Sequence, residues 1–491
     1  MTEIALMPAT TTDTPEKIPL TSIDVSPPAI EPQYKELYEG HRVYVRKTQG
    51  RFQRLRRYIS APLLLAFFLF PWLQIDGRQA VFFDLDEQKF HIFWWVFWPQ
   101  DGILLASLLI IAAFALFAVT VWAGRVWCGF ACPQTIWTTM FMWVENAVEG
   151  DRNRRIRLDA APWSLSKLKI KVTKHLLWGA IAAATGITFI AYFYGMLPLL
   201  GDIASMSISV ESTLWMLLFI VLTYLNASYM REQVCKHMCP YSRFQSVMYD
   251  QSTLLVAYDE QRGEPRGPRK LRSDYKQEGL GACIDCDWCV QVCPADIDIR
   301  HGWQAECINC GLCIDACDNV MERMGYPKGL IRFASAKALG GFWQRIRQPR
   351  MLGYSVCLIL MATLFGSNLG GREALSIDVI RDRGVHLYRE RNGYIENVYT
   401  VKLNNMSNEP MEVSLGLDST EPFQLTGRRS HYLEAGEVFT VPLRISIAAE
   451  GLEKSNYQLA ISAVHSDDEQ ARVLQTVAFI APKPSPEITT P

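Results

Sequence analysis

Between Cys283 and Cys317 the chain carries eight cysteines in two tandem runs. The first reads Cys283-x2-Cys286-x2-Cys289-x3-Cys293 and is followed by Pro294; the second reads Cys307-x2-Cys310-x2-Cys313-x3-Cys317 and is followed by Asp318. Three thiolates at x2 spacing can converge from one loop on adjacent corners of an iron–sulfur cube. The fourth ligand must then arrive from elsewhere, and in the bacterial two-cluster pattern the last cysteine of each run ligates the other cluster. The spacing therefore assigns Cys283, Cys286, Cys289 and Cys317 to one [4Fe–4S] cluster, and Cys307, Cys310, Cys313 and Cys293 to a second. Paired C-x2-C units also suit structural zinc. Zinc, however, needs four thiolates and leaves three plus one, twice over, unexplained. The chemistry expected of these residues is one-electron transfer.

Four further cysteines form two copies of C-x3-C-P: Cys128-Gly-Phe-Ala-Cys132-Pro133 and Cys235-Lys-His-Met-Cys239-Pro240. On a helix the x3 spacing puts both sulfurs on one face, and the proline is expected to end the helix at the preceding cysteine. Two such pairs brought together make a four-sulfur site, and soft thiolates select Cu(I), zinc or iron–sulfur. A third cluster and a redox-active thiol pair are both compatible with the motif, and so are plain buried cysteines at helix ends. His237 and Met238 lie inside the second copy as copper-type ligand types. Cys357 stands alone in a late apolar stretch, where packing is its expected role.

These motifs must be held by the elements around them. Five stretches reach the apolar length of about 20 residues that a bilayer requires: roughly 58–75, 103–123, 175–197, 213–230 and 351–369. The run Ile136–Val148 is shorter and contains Glu145, so an interfacial or partly buried helix is expected there. Lys and Arg crowd the segment before the first span and the loop between the second and third, whereas residues 198–212 contain none. By the positive-inside rule the amino terminus and the long segment after the fourth span are cytoplasmic. Cluster cysteines need a reducing compartment, which agrees. An odd number of spans sends the carboxyl-terminal region to the other side. There the runs Ile395–Leu403, Met411–Leu417, Val438–Ile445, Gln458–Val464 and Val473–Ile480 alternate between turn-rich pieces, as in an antiparallel sandwich.

The expected architecture is a multi-domain membrane protein. It has a tail without fixed structure over residues 1–40, and a membrane domain over 41–250 with four spans and both C-x3-C-P copies. A cytoplasmic ferredoxin-like domain follows over 251–350, then a fifth transmembrane helix over 351–370. A periplasmic, all-β immunoglobulin-like domain over 371–485 completes the chain. A net charge of −1 gives no reason to expect nucleic acid as a partner. The basic stretch Arg262–Arg272 reads as a solvated linker.

Several runs resemble the cytochrome c oxidase accessory protein family (CcoG, also called FixG or RdxA). They are Trp127-Cys-Gly-Phe-Ala-Cys-Pro-Gln-Thr-Ile-Trp137, Phe141-Met-Trp143 and Val148-Glu-Gly-Asp-Arg152, with Cys293-Pro-Ala-Asp-Ile-Asp-Ile-Arg300, Cys307-Ile-Asn-Cys-Gly-Leu-Cys-Ile-Asp-Ala-Cys-Asp318 and Gly329-Leu-Ile-Arg332. The resemblance extends from about residue 40 through the immunoglobulin-like tail. It implies a bacterial inner-membrane protein with two [4Fe–4S] clusters that reduces Cu(II) to Cu(I) for assembly of the cbb3-type oxidase. The expectation that follows is a cupric reductase with copper as substrate or bound ion at Cys128, Cys132, Cys235 and Cys239. Its partners would be the lipid bilayer, a cytoplasmic electron donor, and copper-transport and cbb3 assembly proteins; a homodimer is compatible with it. Two rivals stand beside it: a quinol-oxidising membrane electron-transfer subunit of the polyferredoxin type, and a non-catalytic copper chaperone or scaffold.

Overall fold

The computed structural model describes residues 43–482, apart from residues 76, 87, 336–345, 372–373, 383–387, 392, 408, 420, 453 and 466–467. The tail expected over residues 1–40 lies outside the described residues. The chain divides into two compact units, Met1–Phe82 with Ser107–Thr363, and Phe83–Ala106 with Leu364–Pro491.

Four helices among the described residues are long and apolar enough to cross a membrane: Gly102–Ala123, Leu165–Tyr194, Val210–Met238 and Pro349–Gly370. Three contain an expected span whole, and the fourth, Leu165–Tyr194, stops at Tyr194, short of the expected 175–197, because Gly195 at φ 90° breaks the helix. The 22 residues of Gly102–Ala123 rise about 33 Å at 1.5 Å per residue, enough for a hydrocarbon core of about 30 Å. Leu105, Leu108 and Leu109 are exposed along it, as lipid-facing side chains would be. The remaining expected span, 58–75, falls on the helix Arg51–Leu69 and the 3-10 turn Phe70–Trp72. Its amino half is charged, with Arg51, Arg54, Arg56 and Arg57, so its composition alone falls short. Backbone N–H groups of Phe52 and Gln53 bind Asp315 at one end, and the Phe67 carbonyl accepts from Tyr192 near the far end of Leu165–Tyr194.

The short apolar run after the second span becomes the helix Pro133–Val148. It is buried along one face by Ile136, Phe141 and Val144 and lies antiparallel to Leu165–Tyr194. Trp137 Nε1 donates to Thr185 at 3.0 Å and Trp178 Nε1 donates to the Phe141 carbonyl at 3.1 Å. Glu145, which made the segment too polar for a span, is neutralised by Arg155 at 3.0 Å and Arg231 at 2.7 Å. Glu149 is likewise held by Lys171 at 2.7 Å and Lys174 at 2.8 Å. Buried carboxylates survive only with such partners.

The ferredoxin-like part is built on a two-stranded antiparallel sheet, Leu255–Tyr258 against Ile331–Ala334. Its core mixes cysteines with Val256, Tyr258, Ile297, Ile299, Met321 and Leu330.

The second unit carries a sandwich of two antiparallel sheets. One sheet orders Gln424–Thr426, Val438–Ala448, Tyr394–Asn405 and Leu375–Arg381, with Arg389–Arg391 also pairing Tyr394–Asn405. The other orders Ser430–Leu433, Met411–Asp418, Asn456–His465 and Asp468–Ile480. All five alternating runs read from the sequence are strands. Burial along Tyr394–Asn405 alternates as a half-covered strand requires. Where a disulfide commonly pins such sheets, Asn397 Nδ2 donates across the sandwich to the Ile480 carbonyl at 2.8 Å, and Tyr399 donates to that of Ala478 at 3.0 Å.

Candidate redox centre

The two cysteine runs repeat one backbone device. The residue before the second cysteine is left-handed in both, Asp285 at φ 54° and Asn309 at φ 51°. So is the residue after it, Asp287 at φ 58° and Gly311 at φ 72°. Asp, Asn and Gly tolerate that region best, and the double reversal turns successive sulfurs toward one centre.

The nearest thiol neighbours then run partly between the two runs. Burial pushes the Cys317 thiol up, and its remaining charged neighbours include Cys289, Cys283 and Cys286, all from the other run. Burial also pushes Cys293 up to about 12, with Cys310 and Cys307 adding to it. Cys313 is raised well above its ordinary value by burial and then by Cys310, Cys307, Cys293 and Cys289. A small cavity is lined by Cys289, Cys293, Cys307, Cys310 and Cys313 among apolar side chains. Burial alone would keep such thiols protonated; a bound cationic cluster reverses that preference and deprotonates its ligands. Eight soft donors in two runs, five of them around this apolar space, fit two iron–sulfur clusters. Among the described residues no three His, Cys, Asp or Glu side chains close around a single ion position.

The four C-x3-C-P cysteines also come together. Burial raises the Cys128 thiol to about 12, helped by Cys132, opposed by Arg125, and raised further by Cys235 and Cys239. Cys132 and Cys239 are the N-cap residues of the helices Pro133–Val148 and Pro240–Met248, with extended backbone at ψ 129° and 111°. The proline thus opens the next helix at its first position as well as barring helix at the cysteine. The copies differ upstream: Cys128 sits in the short helix Val126–Phe130, whereas Cys235 sits in a π-helical turn, Val234–Met238. A second π turn, Asn226–Met230, precedes it, and such turns often mark functional segments.

This second centre rests on the second ferredoxin-type run. Cys128 packs against a buried group containing Ile308, Cys310 and Leu312. A Cβ on Gly129 would stand 2.6 Å from the Ile308 carbonyl oxygen and 2.9 Å from Cys310 Cα, so only glycine permits the approach. Asn309 Nδ2 donates to the Ala123 carbonyl at 3.1 Å, and Arg56 Nε donates to that of Gly129 at 3.0 Å. The Cys128 thiol donates to Gln245 at 3.3 Å, and Gln245 in turn donates to Thr120 at 3.3 Å.

Sequence reading missed Arg56, Arg125 and Gln245, for which no spacing rule exists; Gly129, inside the motif, was the available signal. His237 and Met238 are exposed, whereas the four C-x3-C-P cysteines are half-buried. Cys357 is exposed on its helix rather than packed. The stretch Arg262–Arg272 is folded, not a free linker: Arg262 donates to the Lys328 carbonyl at 3.0 Å and Arg269 to that of Cys283.

A family described as a 4Fe-4S dicluster domain matches residues 230–336, and one described as a 4Fe-4S binding domain matches residues 104–155. The C-terminal immunoglobulin-like fold of FixG matches residues 365–482. The nitrogen fixation protein FixG of Rhizobium meliloti is 38% identical over 422 residues, covering 78% of this chain and 80% of that protein. The chain belongs to the FixG/RdxA family. Protein RdxA of Cereibacter sphaeroides is 37% identical over 394 residues, 77% of this chain and 82% of its own length. The crystal structure of a FixG-related protein from Vibrio parahaemolyticus covers 22% of this chain and 97% of its own, at 22% identity and a TM-score of 0.21. As a FixG/RdxA protein with apolar helices and iron–sulfur domains, the chain is a membrane-bound iron–sulfur electron-transfer protein.

Proposed function

We propose that the chain is a membrane-anchored iron–sulfur reductase that converts Cu(II) to Cu(I) for the copper centre of a cbb3-type cytochrome c oxidase. The observation that carries this reading is the convergence of four thiols from both C-x3-C-P copies against the second ferredoxin-type run. Cys283, Cys286, Cys289 and Cys317 hold one [4Fe–4S] cluster in this reading, and Cys307, Cys310, Cys313 and Cys293 the other. When bound, the clusters supply one-electron carriers. Cys128, Cys132, Cys235 and Cys239 take the copper substrate. Soft sulfur donors favour Cu(I), so Cu(II) held among them gains an electron more readily than in water. Each Cu(II) takes one electron, supplied by a cytoplasmic donor.

The basic flanks put the amino terminus and the ferredoxin-like part in the cytoplasm of a bacterium, with the chain multi-pass in the inner membrane and the sandwich in the periplasm. There the sandwich is free to meet copper-transport and oxidase-assembly partners.

The test is anaerobic. The purified protein is reduced with dithionite and freed of excess, then given Cu(II) while cluster absorbance and a Cu(I)-specific chelator are followed together. Reversal of bleaching with matching Cu(I) is expected, and its loss in Cys235→Ala/Cys239→Ala. Reduced clusters that ignore copper would overturn the proposal; reoxidation by a quinone, or reduction by quinol, would then point to the polyferredoxin-type role.

A further inference from the structure

We infer that Arg125 sets the reduction potential of the second [4Fe–4S] cluster, so that the electron is held beside the C-x3-C-P thiols. Arg125 occupies the turn between the helices Gly102–Ala123 and Val126–Phe130. The glycines on either side of it press that turn onto the second cysteine run. A Cβ on Gly124, at φ 58°, would stand 2.5 Å from Asn309 Nδ2, and one on Gly129 would strike Ile308 and Cys310. The guanidinium between them is 4% exposed. Its Nη2 reaches across to the Ser242 carbonyl in the helix that follows the second C-x3-C-P copy. Its Nε is buried and meets no hydrogen-bond acceptor.

Among the described residues no carboxylate pairs with Arg125. The groups its charge acts on include Cys307 on the side of the second run, and Cys128, Cys235 and Tyr249 on the other. A buried cation without a counter-charge is costly. Thiolate and added electron density on either side are the negative charge that would meet it. A fixed positive charge favours whichever state of a neighbouring centre is more negative, and for an iron–sulfur cluster that is the reduced one. Arg125 touches no reacting atom in this account. It is a positioning residue acting through the field.

The inference rests on the crossed cluster assignment but not on copper, so it is tested in copper-free holoprotein. Spectroscopic redox titrations are compared for wild type, Arg125→Gln and Arg125→Lys, with iron and sulfide measured on each. In Arg125→Gln one cluster of the pair is expected to need a potential lower by about 59 mV, a tenfold drop in its reduced-to-oxidised ratio at fixed potential. The other cluster stays put, and Arg125→Lys stays near wild type. Fully loaded Arg125→Gln with both potentials unchanged, or with both lowered equally, overturns the inference. If Arg125→Gln does not load with iron, Arg125→Lys decides: loading with the wild-type potential supports the charge, and failure to load or a lowered potential shows that guanidinium geometry matters instead. Failure of copper reduction with the predicted potential shift intact would sink the copper reading alone.

Discussion

Around the first cysteine run, Arg300 is bound by three carboxylates: Asp285 at 2.6 Å, Asp287 at 2.7 Å and Asp298 at 2.6 Å. Beside the second run, Arg56 and Arg125 donate instead to the carbonyls of Gly129 and Ser242 and to the Thr139 hydroxyl. The two runs share their spacing and their left-handed turns, yet the cations around them are held differently: Arg300 by carboxylates, Arg56 and Arg125 by carbonyls and a hydroxyl, and Arg269 by the Cys283 carbonyl. Ligand geometry copied by duplication does not fix the energy of an electron; the charges around it do. Asp285 and Asp287 of the first run are exposed, while each run has two buried and two half-buried cysteines, so the runs differ in the charges around them and not in the burial of their thiols.

The largest test of that contrast removes the ligands that cross between the runs. Cys317→Ser is expected to empty the quartet of Cys283, Cys286 and Cys289, and Cys293→Ser that of Cys307, Cys310 and Cys313. Each variant should lose about half its iron, with electron paramagnetic resonance showing a different surviving cluster in each. If Cys317→Ser instead destroys the cluster of its own run, the crossed assignment fails.

A smaller effect is expected of Gly129→Ala, which drives a methyl into the Ile308 carbonyl and the Cys310 backbone. Overpacking of this kind costs about 1–3 kcal/mol. A lowered melting temperature should accompany slower single-turnover copper reduction, while the first cluster keeps its spectrum. Unchanged turnover would show that the seam between the sulfur sites is not the electron's route.

The smallest concerns Asp315, between Cys313 and Cys317, which accepts from the backbone N–H groups of Phe52 at 3.1 Å and Gln53 at 2.7 Å. Gly50 offers the first helix no side-chain cap, and a Cβ there would strike the Asp315 carboxylate. Asp315→Ala should cost about 0.5–2 kcal/mol, as loss of an N-cap does. Hydrogen exchange at the Phe52 and Gln53 amides should rise while the amides around Cys283 stay protected.

Much of the molecule was legible because its physics is periodic or countable. Cysteine spacing revealed both runs and both C-x3-C-P copies, and alternation revealed the strands from Ile395, Met411, Val438, Gln458 and Val473. Four spans were plain in composition. The first was blurred because Arg51 to Arg57 belong to the same helix as its apolar half. The side chains that pack around the cysteines were not legible. Arg56 meets Gly129 across 73 residues and Cys128 meets Gln245 across 117, and a lone Arg or Gln carries no pattern announcing such a partner. The π turns Asn226–Met230 and Val234–Met238, with Arg231 at φ 34° between them, were hidden too, since no residue type there announces them.

The cap on the first helix also orders events in time. Phe52 leaves the ribosome 263 residues before the carboxylate that will complete its helix, a wait of about 13–50 s at bacterial rates of about 5–20 residues per second. Throughout that interval the amino end of the first helix has no partner from Asp315. Asp315 lies between Cys313 and Cys317, so the amino end of the first helix is completed by the same short segment that carries two of the cysteines of the second run.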